Sequence, residues 1–543
     1  MTKPIPSSCW LLVFTPLLLL APAFPAWPAE AQGDASLAGV HTPARNSPGQ
    51  AEVCLSVDCG QVKHVMRGGL GASWHAIETP IPVVDGRSHG GSGWGGYPPA
   101  EDARAWRQVY RHADWLGLDF CRVELEQRIY EPQRRRFTWD SPEMRLLYRI
   151  LDWCQRRHAD VFLQQMWGNV DWNAWPEFRA DPVKRVHSGP CSMADFADGL
   201  AALLEHLVRQ RHYTCIRWLC INNEPGYGWA WWQRPPNEPM PLRDGLAAVR
   251  AALDRQGLAV PLSGPDWTDL PEFNERAIDF DPFIGAYDLH SYWARFDWQA
   301  GNGYPLAAAE ARLATWANWA HARGKPLFLS ELGSMAFGWN GADPGPATFE
   351  AAIKDAELVV RGLNLGVDGF NRWSFINRGD LDGHWEMIQT WDTTNRKLLK
   401  EFIPKPNAYF VYGLISRLTA KHSAVLACER SGGQLDGTNR VFAAALRSPA
   451  GALTWIIVND APRAWAARLA ISNPPPRPLY QYRVTSAQRD QPALRIEPLC
   501  RLEAPKTGQT FADTFPPMSL TLYSTFKLAH ASRGVIRDGA EGQ

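Results

Sequence analysis

The feature that most limits how this chain can fold is a pair of buried-strand patterns that each end on a carboxylate. Tyr213-Thr214-Cys215-Ile216-Arg217-Trp218-Leu219-Cys220-Ile221 runs into Asn222-Asn223-Glu224-Pro225. The apolar and β-branched run reads as a buried strand, and Pro225, with no N–H to give to a ladder, ends it. Lys325-Pro326-Leu327-Phe328-Leu329-Ser330 delivers Glu331 in the same way, just before Gly333. The carboxyl end of a buried strand is where a parallel α/β barrel carries its chemistry. The two acids are 107 positions apart, room for about three intervening βα units of ~30 residues each. Glu224 alone also reads as a solvated acid at a strand terminus; the repeated design argues against that.

Other segments fit the same scheme. Gly69 to His75 reads as a first strand whose glycines allow close packing. Phe120 to Glu126 alternates, placing Arg122, Glu124 and Glu126 on one face, and charges inside a barrel must be paired. Val161 to Trp167, Val260 to Pro265 (with Asp266 and Trp267 at its top), Ile284 to Trp293 and Gly369 to Phe375 read as strands three, five, six and eight. On strand six Asp288, His290 and Tyr292 share a face; on strand eight Asn371 and Trp373 do. Helical periodicity covers Glu101 to Leu116 and Tyr304 to Arg323, and Ser141-Pro142 opens another helix as cap and first turn. The order predicts an α/β chain: a (β/α)8 TIM barrel over residues 64–420, with a long loop at 376–405. Short alternating strands over 421–527 predict a C-terminal antiparallel β-sandwich domain. Residues 32–63 hold a polar leader and the strand Val53 to Val57, and 528–543 read as a loose tail.

A chain of 543 residues has room for both parts, and its formal net charge of zero gives no basic excess for nucleic acid and no charge run for an acidic or basic partner. Residues 1–31 read as a secretory signal: Lys3, then an apolar run from Trp10 to Ala23 too short to span a bilayer, then Ala26, Ala29 and Ala31. The mature chain is expected to be secreted or periplasmic, with no membrane span. Of ten cysteines one, Cys9, lies in that segment, leaving an odd number. Cys54 with Cys59 and Cys428 with Cys500 are possible bridges; Cys215 and Cys220 face opposite ways on one strand; Cys121 and Cys154 read as core. No CxxC or HExxH pattern points to a metal, and the Gly-rich stretch from Ser88 to Tyr97 lacks the Lys-Ser/Thr ending of a phosphate loop.

Two carboxylates at neighbouring strand ends are what glycoside hydrolysis requires. Asn223-Glu224-Pro225 and Ser330-Glu331, in that order and strand context, resemble the strand-four and strand-seven signatures of glycoside hydrolase clan A, which includes cellulase-like family 5 and families 30 and 39. The resemblance spans roughly residues 50 to 527. It implies retaining hydrolysis of a β-linked carbohydrate with Glu331 as nucleophile and Glu224 as acid and then base, and no cofactor. It further implies that Asn223 bonds the sugar 2-hydroxyl, that His290 and Tyr292 lie near Glu331, that Arg122 and Tyr292 keep it ionised and oriented, and that Trp373 floors a sugar subsite. Glu224 is expected to have a raised pKa, from burial and the charge of Glu331. Gln165 and Trp167 stand where family 5 often has His, a departure from that family. His75 reads equally as a sugar contact or a core hydrogen bond. Trp229, Trp231 and Trp232, beside Glu224, read as a sugar-binding wall; flat indoles suit sugar faces, but of the 26 Trp in the chain most read as core and only such loop clusters as ligand-facing. A non-catalytic carbohydrate-binding protein and a transglycosylase remain as alternatives; the sugar, the linkage and the oligomeric state are open.

Overall fold

The computed structural model describes residues 52–77, 83–84, 87–88, 95–225, 231–235, 242–268, 280–292, 306–334, 345–378, 384–432, 440–491 and 496–528. The signal segment, most of the Gly-rich loop, Trp229 and the tail after 528 lie outside them. Among the described residues no helix is long and apolar enough to cross a membrane.

Eight parallel strands close into a barrel: Gly69–Ala72 continued by Trp74–His75 (strand one), Phe120–Glu126 (two), Asp160–Trp167 (three), Ile216–Cys220 (four), Leu262–Thr268 (five), Ile284–Ser291 (six), Leu327–Leu332 (seven) and Gly369–Arg372 (eight). Strand one pairs with both strand eight and strand two, which closes the ring. A Cβ at Gly71 would stand 1.4 Å from the carbonyl oxygen of Phe120, so only glycine permits that approach. Helices Ala103–Leu116, Pro142–Arg157, Met193–Leu204, Leu242–Arg255, Leu306–Ala322, Phe349–Leu365 and Pro406–Arg417 return the chain between strands or after the last one. Asp102, Ser141, Ser192 and Thr348 cap four of them through side-chain oxygens.

The barrel interior is built in layers, as a period of two along each strand demands. Phe120, Phe162, Cys220, Ala286 and Phe328, with Trp218, form an apolar plug; the rings of Phe120 and Phe328 stack at 5.0 Å. Two residues further along strands two, three, six and seven come Arg122, Gln164, Asp288 and Ser330, all fully buried. The polar layer therefore rests on a dry floor that blocks water from the amino end of the barrel.

A nine-stranded sheet follows, in the order Cys500–Leu502, Leu479–Val484, Ser519–Ser524, Leu453–Asn459, Val441–Arg447, Ser423–Gly432, Glu52–Met66, Trp465–Ser472, Thr510–Phe515. It is antiparallel except where Glu52–Met66 runs parallel to Trp465–Ser472. The strand Val53 to Val57 lies within Glu52–Met66, the seventh of the nine strands, so this segment pairs inside the sheet on both sides. The sheet curls around one apolar interior that includes Val53, Leu55, Trp455, Trp465, Leu469, Phe515 and Tyr523. Its last strand, Thr510–Phe515, curls back to the second, Leu479–Val484, where Gln481 donates to Asp513 at 2.9 Å.

Three expectations need correction. The described cysteines are all free: Cys54 and Cys59 lie along the single strand Glu52–Met66, and Cys428 and Cys500 are on strands four others apart in the sheet order. The 376–405 segment is not a bare loop but carries a three-stranded sheet, Ile376–Asn377, Ile388–Asp392 and Lys397–Pro404. Trp231 and Trp232 do not form a wall; both are buried against Phe196, and the Trp231 indole donates to the Ser188 carbonyl at 2.8 Å.

Candidate active site

Glu224 follows strand four and Glu331 lies in strand seven, and the barrel brings both to its carboxyl mouth. One carboxylate oxygen from each and a ring nitrogen of His290 all lie within 4.8 Å of one another. Glu331 arrives there through a register slip. Strands six and seven pair Leu289 with Leu329 but His290 with Glu331, leaving Ser330 as an extra residue. A bulge of this kind re-aims a side chain, so Ser330 and Glu331 both serve the interior. The same slip occurs at strand five, where Asp288 pairs with Pro265 and Leu289 with Trp267, leaving Asp266 extra. Asp266 (φ 57°) and Glu224 (φ 41°) both hold left-handed backbone, a conformation that non-glycine residues adopt at a cost and that clusters at functional sites. The Glu224 N–H donates to the Asp266 carbonyl at 3.1 Å, tying the two together.

Arg122 is the hub beneath the acids. Its Nη1 donates to Glu331 Oε1 at 2.6 Å and Glu124 Oε1 at 2.5 Å. Its Nη2 donates to Asn223 Oδ1 at 2.8 Å and lies 3.4 Å from Asp266 Oδ2, and its Nε donates to Gln164 at 3.2 Å. Burial works against the guanidinium charge, but Glu331, Glu124 and Asp266 outweigh it and hold Arg122 above its ordinary range. The second oxygen of Glu331 accepts from the Tyr292 hydroxyl at 2.7 Å. His290 Nδ1 is 2.8 Å from Glu224 Oε1 and 3.2 Å from Glu331 Oε2, while its Nε2 is 2.9 Å from Asp266 Oδ1.

These contacts set unequal ionisation. Burial opposes charge on His290, but Asp266 and Glu331 overcome it and hold the imidazole well above its usual range, as an imidazolium. Burial also works against the Asp266 anion, yet His290 and Arg122 draw Asp266 down to about 2. Burial and the Asp266 charge push Asp288 up to about 8. Glu331 departs from expectation. Burial pushes it up to about 7 despite His290 and Arg122, with Glu224 and Glu124 adding to the rise. Desolvation of the buried carboxylate exceeds what two shared cations return, so the site holds Glu331 near half-ionised at neutral pH.

The other expected residues fall around this centre. Trp373 is buried, with the Arg122 guanidinium 5.9 Å from its ring centroid. His75 is fully buried behind it, edge-on to the Trp373 ring at 5.1 Å, with Nε2 3.1 Å from Glu124. Trp167 is buried edge-on to His187, at 5.1 Å, and its indole N–H has no partner among the described residues. Gln165 accepts from the Tyr130 hydroxyl at 3.1 Å. Sequence reasoning passed over Asp266 and Gln164 as site residues. The signal for Gln164 was an amide inside an otherwise apolar strand; for Asp266 it was an acid ending an apolar run, the pattern that marked the other two acids.

No protein-family model matches the chain, and no curated protein matches it in sequence. Solved structures share its fold. A glycoside hydrolase family 30 subfamily 8 xylanase from Clostridium acetobutylicum aligns with TM-score 0.55 at 12% identity, covering 87% of this chain and 99% of the xylanase. An endo-β1,6-glucanase aligns with TM-score 0.55 at 14% identity, covering 88% of this chain and 94% of its own. A family 51 α-L-arabinofuranosidase from Thermotoga petrophila aligns with TM-score 0.56 at 12% identity, covering 87% and 100%. The likeness to clan A glycoside hydrolases therefore extends from two short motifs to the whole barrel-plus-sheet architecture.

Proposed function

We propose that the chain is a retaining glycoside hydrolase acting on a β-linked carbohydrate. The observation that carries this is the spacing of the two acids. One oxygen of Glu224 and one of Glu331 lie within 4.8 Å, a close approach that supports the retaining arrangement, whose carboxyl groups stand about 5–5.5 Å apart, over the inverting one at roughly 6.5–9.5 Å.

In the first step an oxygen of Glu331 attacks the anomeric carbon, the bond to the leaving oxygen breaks, and Glu224 gives that oxygen its proton. In the second, water attacks the same carbon, Glu224 takes the water proton, and the ester electron pair returns to Glu331. Arg122 and Tyr292 each hold one oxygen of Glu331, which fixes its rotamer for attack. Asn223 has its Oδ1 taken by Arg122, which leaves its amide N–H groups as the donors for the sugar 2-hydroxyl, a bond that strengthens in the transition state. Trp373 and Trp167, with Trp229 from the sequence alone, are the candidates for stacking on the sugar.

Export is part of the proposal, supported by the apolar run from Trp10 to Ala23; amino-terminal sequencing of protein recovered outside the cytoplasm tests it. The enzymatic claim is tested with a panel of aryl β-glycosides and β-linked polysaccharides, run beside Glu331→Gln. Turnover by the native chain that Glu331→Gln abolishes is the expected result; equal activity in the variant refutes the assignment.

A further inference from the structure

Among the groups at this centre that the two-acid scheme does not use is Asp266, a fully buried carboxylate from strand five whose side chain reaches the acids only through His290 and Arg122. It lies under His290, whose other ring nitrogen faces both acids at once. Resting on the retaining mechanism above, we propose that Asp266 is a positioning residue for the second half-reaction, acting through His290, whose Nδ1–H swings to whichever acid carries the negative charge.

The argument starts from donor count. A neutral imidazole has one N–H, and Asp266 on one side with Glu224 and Glu331 on the other present only acceptors when ionised. An imidazolium satisfies both sides; a neutral ring leaves a lone pair against a carboxylate. The groups facing His290 favour the imidazolium. Asp266 comes from strand five, Glu224 from the end of strand four and Glu331 from strand seven, against one nearby cation, Arg122, on strand two. Asp288, on strand six itself, accepts from the Asp266 backbone N–H at 2.7 Å and is held toward its neutral form. Asp266 is in turn fixed by Arg122, by Gln164 at 3.1 Å and by the Ser330 hydroxyl at 3.1 Å, so it does not move with the substrate.

The Nδ1–H has two acceptors and one proton. In the empty site it is shared between Glu224 and Glu331. Once Glu331 is an ester it has lost its charge, while Glu224 has given up its proton and become the stronger acceptor. The bond then belongs to Glu224, favouring the ionised form it needs as base toward water. When the ester breaks, charge returns to Glu331 and the bond is shared again. Without the Asp266 charge, His290 falls back to neutral and keeps its proton on Nε2, facing the amide oxygen of an Asn. Its Nδ1 then becomes an acceptor that favours protonated Glu224. Proton donation survives, and proton abstraction suffers.

The test is Asp266→Asn in the full chain with a dinitrophenyl glycoside that the native enzyme turns over. The expected result is a burst of about one dinitrophenol per site and a glycosyl adduct by intact mass. Steady-state kcat falls about 10²-fold, the lower end of what a positioned proton-transfer group contributes, with its acid limb moved to higher pH; kcat/KM, compared above its own acid limb where Glu331 is ionised in both proteins, changes much less. Azide, which attacks without a base, restores turnover. Equal falls in kcat and kcat/KM, with no burst and no azide effect, overturn the proposal. Should the variant misfold, 15N-histidine NMR of the native chain decides: His290, identified by the signal lost in His290→Gln, is expected with both nitrogens protonated at pH 7, and a neutral ring overturns the proposal. A native enzyme that forms no glycosyl intermediate instead refutes the retaining mechanism beneath it.

Discussion

Replacing Tyr292 by Phe removes one hydrogen bond from Glu331 and leaves the ring in place. The hydroxyl donates to Glu331 Oε2 at 2.7 Å in a buried site. A hydrogen bond to a charged acceptor contributes about 1.5–3 kcal/mol, and each pKa unit corresponds to about 1.36 kcal/mol. The loss therefore raises the Glu331 pKa by about 1–2 units, starting from about 7. The nucleophile must be ionised before attack, so the acid limb of kcat/KM, which reports the free enzyme, moves from near 7 to about 8–9. Below both values kcat/KM falls by roughly 10- to 100-fold, because the ionised fraction shrinks by that factor. The assay is kcat/KM against pH for one aryl β-glycoside, native and variant side by side, with circular dichroism to show an intact fold. An acid limb that stays put or moves downward refutes the claim that this hydroxyl supports the ionised nucleophile.

Three further expectations follow from the coordinates. Glu357 is buried among Lys354, Arg361 and Arg440, where the barrel helix Phe349–Leu365 meets Asp460 of the sheet domain; Glu357→Gln leaves buried cations short of a partner and is expected to cost about 3–5 kcal/mol in denaturant unfolding. A Cβ at Gly333 would meet the Trp385 ring at 2.4 Å and the Tyr292 ring at 3.2 Å, so Gly333→Ala is expected to lower kcat by displacing Tyr292, measured with a thermal melt as control. Glu331, Asp288 and Asp460 are raised to about 7, 8 and 7, and raised carboxyls contribute stability that is lost as pH rises through those values. Asp266 and Glu357 are lowered to about 2, and their contribution is lost only as pH falls toward 2. The melting temperature is therefore expected to peak near pH 4–5, roughly, and to decline toward 8.

Strand placement in the barrel was legible because parallel strands are apolar on both faces and stand out as continuous runs. The two acids were legible because each run stops on a carboxylate. What alternation could not deliver was the facing of side chains where the backbone leaves regular β geometry. Counting by twos puts Ser330 and Glu331 on opposite faces, yet the bulge brings both inward. Asp266 is hidden by the same device on strand five, with its backbone turned left-handed. In the sheet domain the strands Ser423–Gly432, Trp465–Ser472 and Thr510–Phe515 are harder to place from sequence, because each mixes exposed polar residues into its pattern. Trp231 and Trp232 show the limit of aromatic counting: an indole in a loop serves packing or ligand equally well, and only burial separates them. The raised pKa of Glu331 depends on how completely the barrel mouth excludes water, which no linear motif records.

The central claim is that Glu224 and Glu331 act from the same short separation by double displacement. Proton NMR of the first sugar released from a β-glycoside, recorded before mutarotation, tests it most directly. The β-anomer as first product is the result this account predicts; the α-anomer means a single displacement by water and contradicts it.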